Sequence, residues 1–223
     1  MALSTRSPWE TAAMDDAPLT VTLLGSGSPT PSLTRCHPAA VVSWADRHVL
    51  VDAGDGVVAQ LLRSGIPAGA IEHVAITHLH WDHVLGYPAF VWGSWIAGRR
   101  SLQVWGPAGT VDMHRRLVED FYGDQAAWAI DLGFPAEGWH ATSVGDIAPG
   151  WTVELDGCTI EAGTVVHPPM AAVAYRFTFR GRSLVISGDT AMSIDENKTI
   201  CANAAWVGVL VKLGVIAAPG GDK

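Results

Sequence analysis

Val74-Ala75-Ile76-Thr77-His78-Leu79-His80-Trp81-Asp82-His83 is a short apolar run that delivers three histidines and an aspartate within six positions. Val74–Thr77 reads as a short buried strand leading straight into His78. In extended backbone, residues i and i+2 project to the same side, so His78 and His80 can offer imidazole nitrogens to one cation. As the chain turns into a helix beginning near His83, Asp82 and His83 can reach a second ion. Neutral imidazole and carboxylate suit zinc, and iron or manganese would also accept such a set. The bland alternative, histidines that cap the next helix or lie solvated on a loop, does not account for the clustering.

A mixed His/Asp set needs further ligands, and two strand ends downstream supply candidates. His167 follows the run Glu161–Val166 and precedes Pro168-Pro169, while Asp189 lies in Ser187-Gly188-Asp189-Thr190, just after Ser183–Ile186. Strand ends are where functional groups of α/β folds gather.

The rest of the chain reads as strands interleaved with a few helices. Leu19–Leu24, Ala39–Trp44 and His48–Asp52 are strands, and Gly56–Ser64 is a helix stopped at Gly65. Leu102–Trp105 is a strand followed by a helix, Thr110–Tyr122, with Val111, Leu117, Val118 and Phe121 spaced for burial. The stretch Gly123–Ala148 is ambiguous. Trp151–Leu155 and Cys158–Ala162 flank the hairpin signal Asp156-Gly157, and Ala172–Phe179 and Ser183–Ser187 flank Arg180-Gly181-Arg182. This order predicts a layered α/β sandwich.

These motifs resemble the metallo-β-lactamase superfamily of binuclear hydrolases, and within it the ribonuclease Z and arylsulfatase-like branch. The matching residues are Gly25-Ser26-Gly27-Ser28-Pro29, Asp52 in Val51-Asp52-Ala53-Gly54, the histidine motif, His167 and Ser187-Gly188-Asp189-Thr190. The resemblance spans residues 19–191 and implies a four-layer αββα sandwich. It also implies His78, His80 and His167 on a first metal, Asp189 bridging, and Asp82 and His83 on a second. A pair of zinc ions, or manganese or iron, would then activate a water as hydroxide, with Asp82 a catalytic acceptor of its proton. Asp52 would orient a ligand histidine from behind. Gly25–Ser28 is read as a tight turn under the site rather than a phosphate cradle, since no Gly-Lys-Ser/Thr follows. Trp81, between ligands, could line the pocket. Trp92 and Trp95 are expected in the core, and Arg99-Arg100 at a solvated helix end.

Composition bounds the function. With 48% apolar and 16% charged residues, the 223-residue chain is neither disordered nor collagen-like. The net charge of −8 and the absence of a Lys/Arg run leave no broad electrostatic footprint for a phosphate backbone. Across residues 106–150, Asp112, Glu119, Asp120, Asp124, Asp131, Glu137 and Asp146 outnumber Arg115 and Arg116. This places nucleic acid behind a small ester as the expected partner. No membrane span or secretory leader is legible, and Cys36, Cys158 and Cys201 form no Cys-x-x-Cys pair, which suits free thiols in a reducing, cytoplasmic setting.

The end of the chain departs from this pattern. All 11 arginines lie at or before Arg182, and all three lysines fall at Lys198 or later. No histidine follows His167, although the family pattern implies one more on the second metal. Residues 1–18 are therefore expected to be a flexible extension, 19–191 the metallo-β-lactamase-like domain, and 192–223 an atypical tail, truncated or frame-shifted. The second half-sandwich would be incomplete and the second metal site weakened. The expected activity is hydrolysis of a phosphodiester, sulfate ester or related small ester. Two alternatives are a catalytically impaired metal- or partner-binding domain that could pair as a homodimer, and a tRNA 3′-processing endoribonuclease.

Overall fold

The structure is a computed structural model and describes residues 18–191. The atypical tail, 192–223, lies outside the described residues, as does nearly all of the N-terminal extension. One six-stranded sheet runs in the order β1 (Thr20–Gly25), β2 (Ala39–Trp44), β3 (Arg47–Val51), β4 (His73–Ala75), β5 (Leu102–Gly106), β6 (Thr142–Asp146). Its first three strands are antiparallel and β3 through β6 are parallel. A second, antiparallel sheet has the order β10 (Arg182–Ile186), β9 (Val173–Phe179), β8 (Cys158–Thr164), β7 (Thr152–Leu155).

Side-chain alternation on β2 shows how the layers are glued. Ala40, Val42 and Trp44 join the core between the sheets, with Tyr175, Phe177 and Leu184 opposite. Ala39 and Val41 face the other way, into the core under the helices with Leu61, Tyr87 and Phe90. A strand apolar on both faces is the signature of a sheet covered on both sides. The helices are α1 (Val57–Ser64), α2 (Trp81–Val84), α3 (Tyr87–Ile96), α4 (Thr110–His114), α5 (Asp120–Asp131) and α6 (Ala136–His140). Both predicted hairpins form. Asp156 and Gly157 have φ of 46° and 79°, and Arg180 and Gly181 have 50° and 73°, the paired left-handed residues of a tight two-residue turn.

Two expectations are corrected. The helix from Thr110 does not bury Val111, Leu117 and Phe121, all of which are exposed, whereas Thr110, His114 and Val118 are inside. Residues Arg115–Glu119 form a π-turn between α4 and α5, and the wider turn rotates the buried face away from the one a regular period selects. Beyond it, α5 buries Ala126 and Ala129 against Trp95, with Trp92 and Trp139 alongside. Arg99 is not solvated but 1% exposed: its Nε donates to Ser94 Oγ at 2.9 Å and its Nη2 to Val91 O at 3.2 Å. It closes the C-terminal end of α3 from inside, and burial, the largest cause, lowers its pKa to about 10. Trp95 is core as expected, and Trp92 is partly buried in the same aromatic cluster.

Candidate metal centre

The site lies where the ends of β1, β3 and β4 meet the loops after β8 and β10. His73–Ala75 is paired as strand, one residue earlier than expected, and Ile76 continues on Trp105 O at 2.7 Å. Tyr175 Oη, from the facing sheet, donates to both Ile76 O and Trp105 O at 3.1 Å. His78 is then pinned by a bridge to Ala172. The histidine loop is thus tied to both sheets before its side chains are considered.

Asp52 is the anchor behind the site. It occupies a left-handed conformation, φ 57°, which aspartate tolerates better than most residues. Its Oδ1 accepts from Thr77 N–H at 2.7 Å and its Oδ2 from Thr77 Oγ1 at 2.8 Å. The same Oδ2 lies 2.8 Å from His83 Nδ1. With Nδ1–H donated to Asp52, His83 presents Nε2 to the site, and its lone pair becomes available to an ion once the proton there is displaced. Thr77 Oγ1 is also 3.1 Å from His78 Nδ1 and turns that ring the same way. The sequence reading missed Thr77; a hydroxyl residue just before the first histidine, at the end of an apolar strand, was the available signal.

Around His80 Nδ1, His78 Nε2 and His167 Nε2 each lie at 3.0 Å. Ring nitrogens converging in this way lie slightly closer than the about 3.3–3.4 Å edges of a tetrahedron with bonds of about 2.0–2.1 Å, near enough for one ion to be shared among them. Asp189 completes the group, and the ligand atoms of His78, His80, His167 and Asp189 all lie within 4.8 Å of one another. Asp189 faces two ways. Its Oδ2 is 3.9 Å from His78 Nε2, and its Oδ1 is 3.4 Å from His83 Nε2, which is in turn 3.9 Å from Asp82 Oδ2.

The donor set fits a metal on a further count. Asp82 Oδ2, His83 Nε2 and Asp189 Oδ1 are buried and make no hydrogen bond. Buried polar atoms are normally satisfied, and three orphans aimed at one space are what a second cation would satisfy. Burial holds His78 down to about 3 and also lowers His167, so both are neutral, ligand-ready imidazoles. The segment 25–27 packs beneath. A Cβ at Gly25 would come within 1.8 Å of His37 O and one at Gly27 within 2.7 Å of Cys36 O. Gly25, Ser26 and Gly27 share a pocket with His83 and Asp189. Close backbone approach accounts for these glycines; Gly25 is the last residue of β1 and neither it nor Gly27 has a positive φ, so the segment is an extended approach rather than the expected tight turn.

Ribonuclease Z of Mycobacterium marinum is 30% identical to the chain over 204 residues, covering 88% of this chain and 72% of that protein. The chain belongs to the ribonuclease Z family. That family comprises metal-dependent hydrolases of the metallo-β-lactamase fold. A further ribonuclease Z, from Mycobacterium bovis BCG, is 32% identical over 207 residues, covering 89% of the chain and 72% of the relative. A family model described as anti-Pycsar protein Apyc1 matches residues 19–117. Among solved structures, the short form of human tRNase Z superposes with a TM-score of 0.61 at 23% identity, covering 78% of this chain and 70% of that one. The metallo-β-lactamase fold protein YhfI of Bacillus subtilis superposes with a TM-score of 0.60 at 18% identity, and the chain spans 63% of its length. The ribonuclease Z names run against the expectation, drawn from charge, that nucleic acid ranks behind a small ester. The small-ester and homodimer expectations gain no support from these relatives.

Proposed function

We propose that this ribonuclease Z family member is a metal-dependent phosphodiester hydrolase whose first cation, zinc, is held by His78, His80, His167 and Asp189. The observation that carries this is the convergence of those four ligand atoms within 4.8 Å, beside the unsatisfied Asp82, His83 and Asp189 atoms. Asp82, His83 and the second oxygen of Asp189 would hold a second ion. A divalent cation held there supplies Lewis acidity, lowering the pKa of a bound water towards neutrality and offsetting charge on the phosphoryl oxygens. The protein's own residues do the rest. Asp52 and Thr77 fix the histidine tautomers, Asp189 aligns the two sets, and Asp82, with an unpartnered Oδ2, is placed to accept the nucleophile's proton.

An RNA phosphodiester is favoured by the relatives' names. A small phosphodiester is favoured by the outer helix, where Asp120, Asp124 and Asp131 line α5 and repel a phosphate backbone. Free Cys36 and Cys158 support a reducing, cytoplasmic setting. The test is hydrolysis of bis-p-nitrophenyl phosphate and of a 3′-extended tRNA by metal-stripped and zinc- or manganese-reconstituted protein, with His80→Ala as control. Metal-dependent turnover of either substrate, lost in the variant, supports the reading. Turnover of neither contradicts it and leaves a non-catalytic metal-binding domain.

A further inference from the structure

A second cavity opens between α3, the π-turn after α4, and α6, and it shares no lining residue with the metal centre. Its volume is about 240 Å³, more than the roughly 150 Å³ that admits a benzene ring. Val91, Val118 and Trp139 give it apolar walls, and His114 and Glu119 place polar atoms among them. Apolar walls with a few convergent polar groups are the form a small-molecule site takes.

The pairing of His114 with Glu119 depends on the π-turn. Five residues of a regular α-helix advance about 500°, which would set the two side chains about 140° apart around the axis. Arg115–Glu119 winds more widely, and Glu119 Oε1 comes to 3.6 Å from His114 Nε2 on one face. Such turns are rare and are frequent at functional sites.

The hydrogen bond behind His114 fixes what it offers. Tyr87 is fully buried, and among the described residues its Oη has one partner, His114 Nδ1 at 2.7 Å. A buried hydroxyl needs an acceptor, so the phenol donates, Nδ1 accepts, and the ring's own proton sits on Nε2. Burial supports the same arrangement, raising the phenol's pKa and lowering the imidazole's, so the first stays protonated and the second neutral. His114 is only 4% exposed, and 3.6 Å to Glu119 is too long for a hydrogen bond, which leaves Nε2–H unpartnered among the described residues. Glu119 has no other ion-pair partner there, for Arg115 and Arg116 are held by Asp112 and Asp120.

An N–H donor thus stands beside a carboxylate, and the ligand that answers both is a flat ring with an acceptor next to donors along one edge. We propose that this cavity binds a nucleobase, guanine before the others. Guanine O6 accepts from His114 Nε2–H, its N1–H and N2–H donate to the two oxygens of Glu119, and Val91, Val118 and Trp139 enclose the ring. Each of the other bases sets one donor group beside its acceptor and leaves a carboxylate oxygen unanswered. Hydrogen bonds to an ionised carboxylate are the stronger kind, so Glu119 sets the choice of base. The base is recognised without its phosphate, and the inference therefore goes beyond the hydrolytic reading and does not rest on it.

Calorimetric titration of the full, metal-loaded chain with guanosine, adenosine, cytidine and uridine tests this, since a nucleoside carries no phosphate for the metal centre to hold. Guanosine is expected to bind once per chain, at least about tenfold more tightly than the other three. Glu119→Gln, at an exposed side chain, is expected to weaken guanosine about tenfold, with far-UV circular dichroism and metal content unchanged. His80→Ala should bind guanosine as the parent does, which separates this cavity from the metal centre. No binding of any nucleoside at millimolar concentration overturns the proposal. So does guanosine affinity that is matched by adenosine, indifferent to Glu119→Gln or lost in His80→Ala.

Discussion

His83 Nδ1 lies 2.8 Å from Asp52 Oδ2, and this contact links the anchor of the site to its metal-facing edge. Asp52 takes both donors of Thr77 as well, so one buried carboxylate sets the orientation of the loop and the tautomer of the ligand. Replacing Asp52 by Asn keeps the size and tolerates the positive φ but can no longer accept on both oxygens. Loss of such an outer hydrogen bond typically costs about 10–100-fold in metal affinity. Asp52→Asn is expected to weaken one class of zinc site by that factor in a calorimetric titration and to leave the His78, His80 and His167 set in place.

The same pair sets a pH dependence. Burial lowers the pKa of His83, but the Asp52 and Asp189 carboxylates outweigh it and hold the metal-free imidazolium up to about 10. The folded value lies above the ordinary 6.5, so the proton stabilises the metal-free fold fully below pH 6.5, and this contribution is lost as pH rises through about 10. An ion that binds His83 must displace that proton, so affinity at the second site rises by up to about tenfold per pH unit across this window. Zinc titrations in buffers of different ionisation enthalpy will report close to one proton released per ion. Release of none would show that His83 is not displaced.

Occupancy should differ between the two sites. Four residues surround the first, whereas Asp82, His83 and one oxygen of Asp189 serve the second, and no histidine follows His167 in this sequence. After gel filtration in metal-free buffer, elemental analysis is expected to find one tightly held ion per chain and a sub-stoichiometric second. Two ions retained equally would contradict this assignment.

Trp81 is 47% exposed between two ligand positions and meets the buried His37 ring edge-on at 4.9 Å between centroids. An indole held there offers a surface to an aromatic ester arm. Stacking of that kind is worth about 1–3 kcal/mol. Trp81→Ala is expected to raise KM for bis-p-nitrophenyl phosphate at least about fivefold, at the lower end of that range, with kcat and metal content little changed. Trp81→Phe should recover most of the loss.

Arg99 is a structural charge rather than a substrate contact. Arg99→Ala removes its bonds to Ser94 and Val91 and leaves a void under α3. A cost of about 2–4 kcal/mol is expected in denaturant unfolding. Turnover per folded molecule should be unchanged; a loss of turnover without a loss of stability would place Arg99 in the site instead.

Much of the site was legible because its chemistry is local. His78, His80, Asp82 and His83 are neighbours in the chain, and strand geometry alone brings the first two together. His167 and Asp189 were legible as polar residues at strand ends, but their approach to His78 depends on the packing of two sheets. Thr77 escaped notice because its role appears only once Asp52 arrives from another strand. Arg99 was misread because a charged residue after a helix usually faces water, and nothing local shows the chain folding it back over Ser94. The face of the helix after Thr110 was misread because a π-turn breaks the 3.6-residue period on which such readings rest.

The central claim is that hydrolysis depends on the ion held by His78, His80, His167 and Asp189. Metal-stripped protein should be titrated with zinc while the initial rate of bis-p-nitrophenyl phosphate hydrolysis is followed, alongside His80→Ala and His167→Ala. The rate is expected to climb from background with the first equivalents of zinc and to stay at background in both variants. A rate independent of added zinc, or variants that turn over like the parent, would contradict the account.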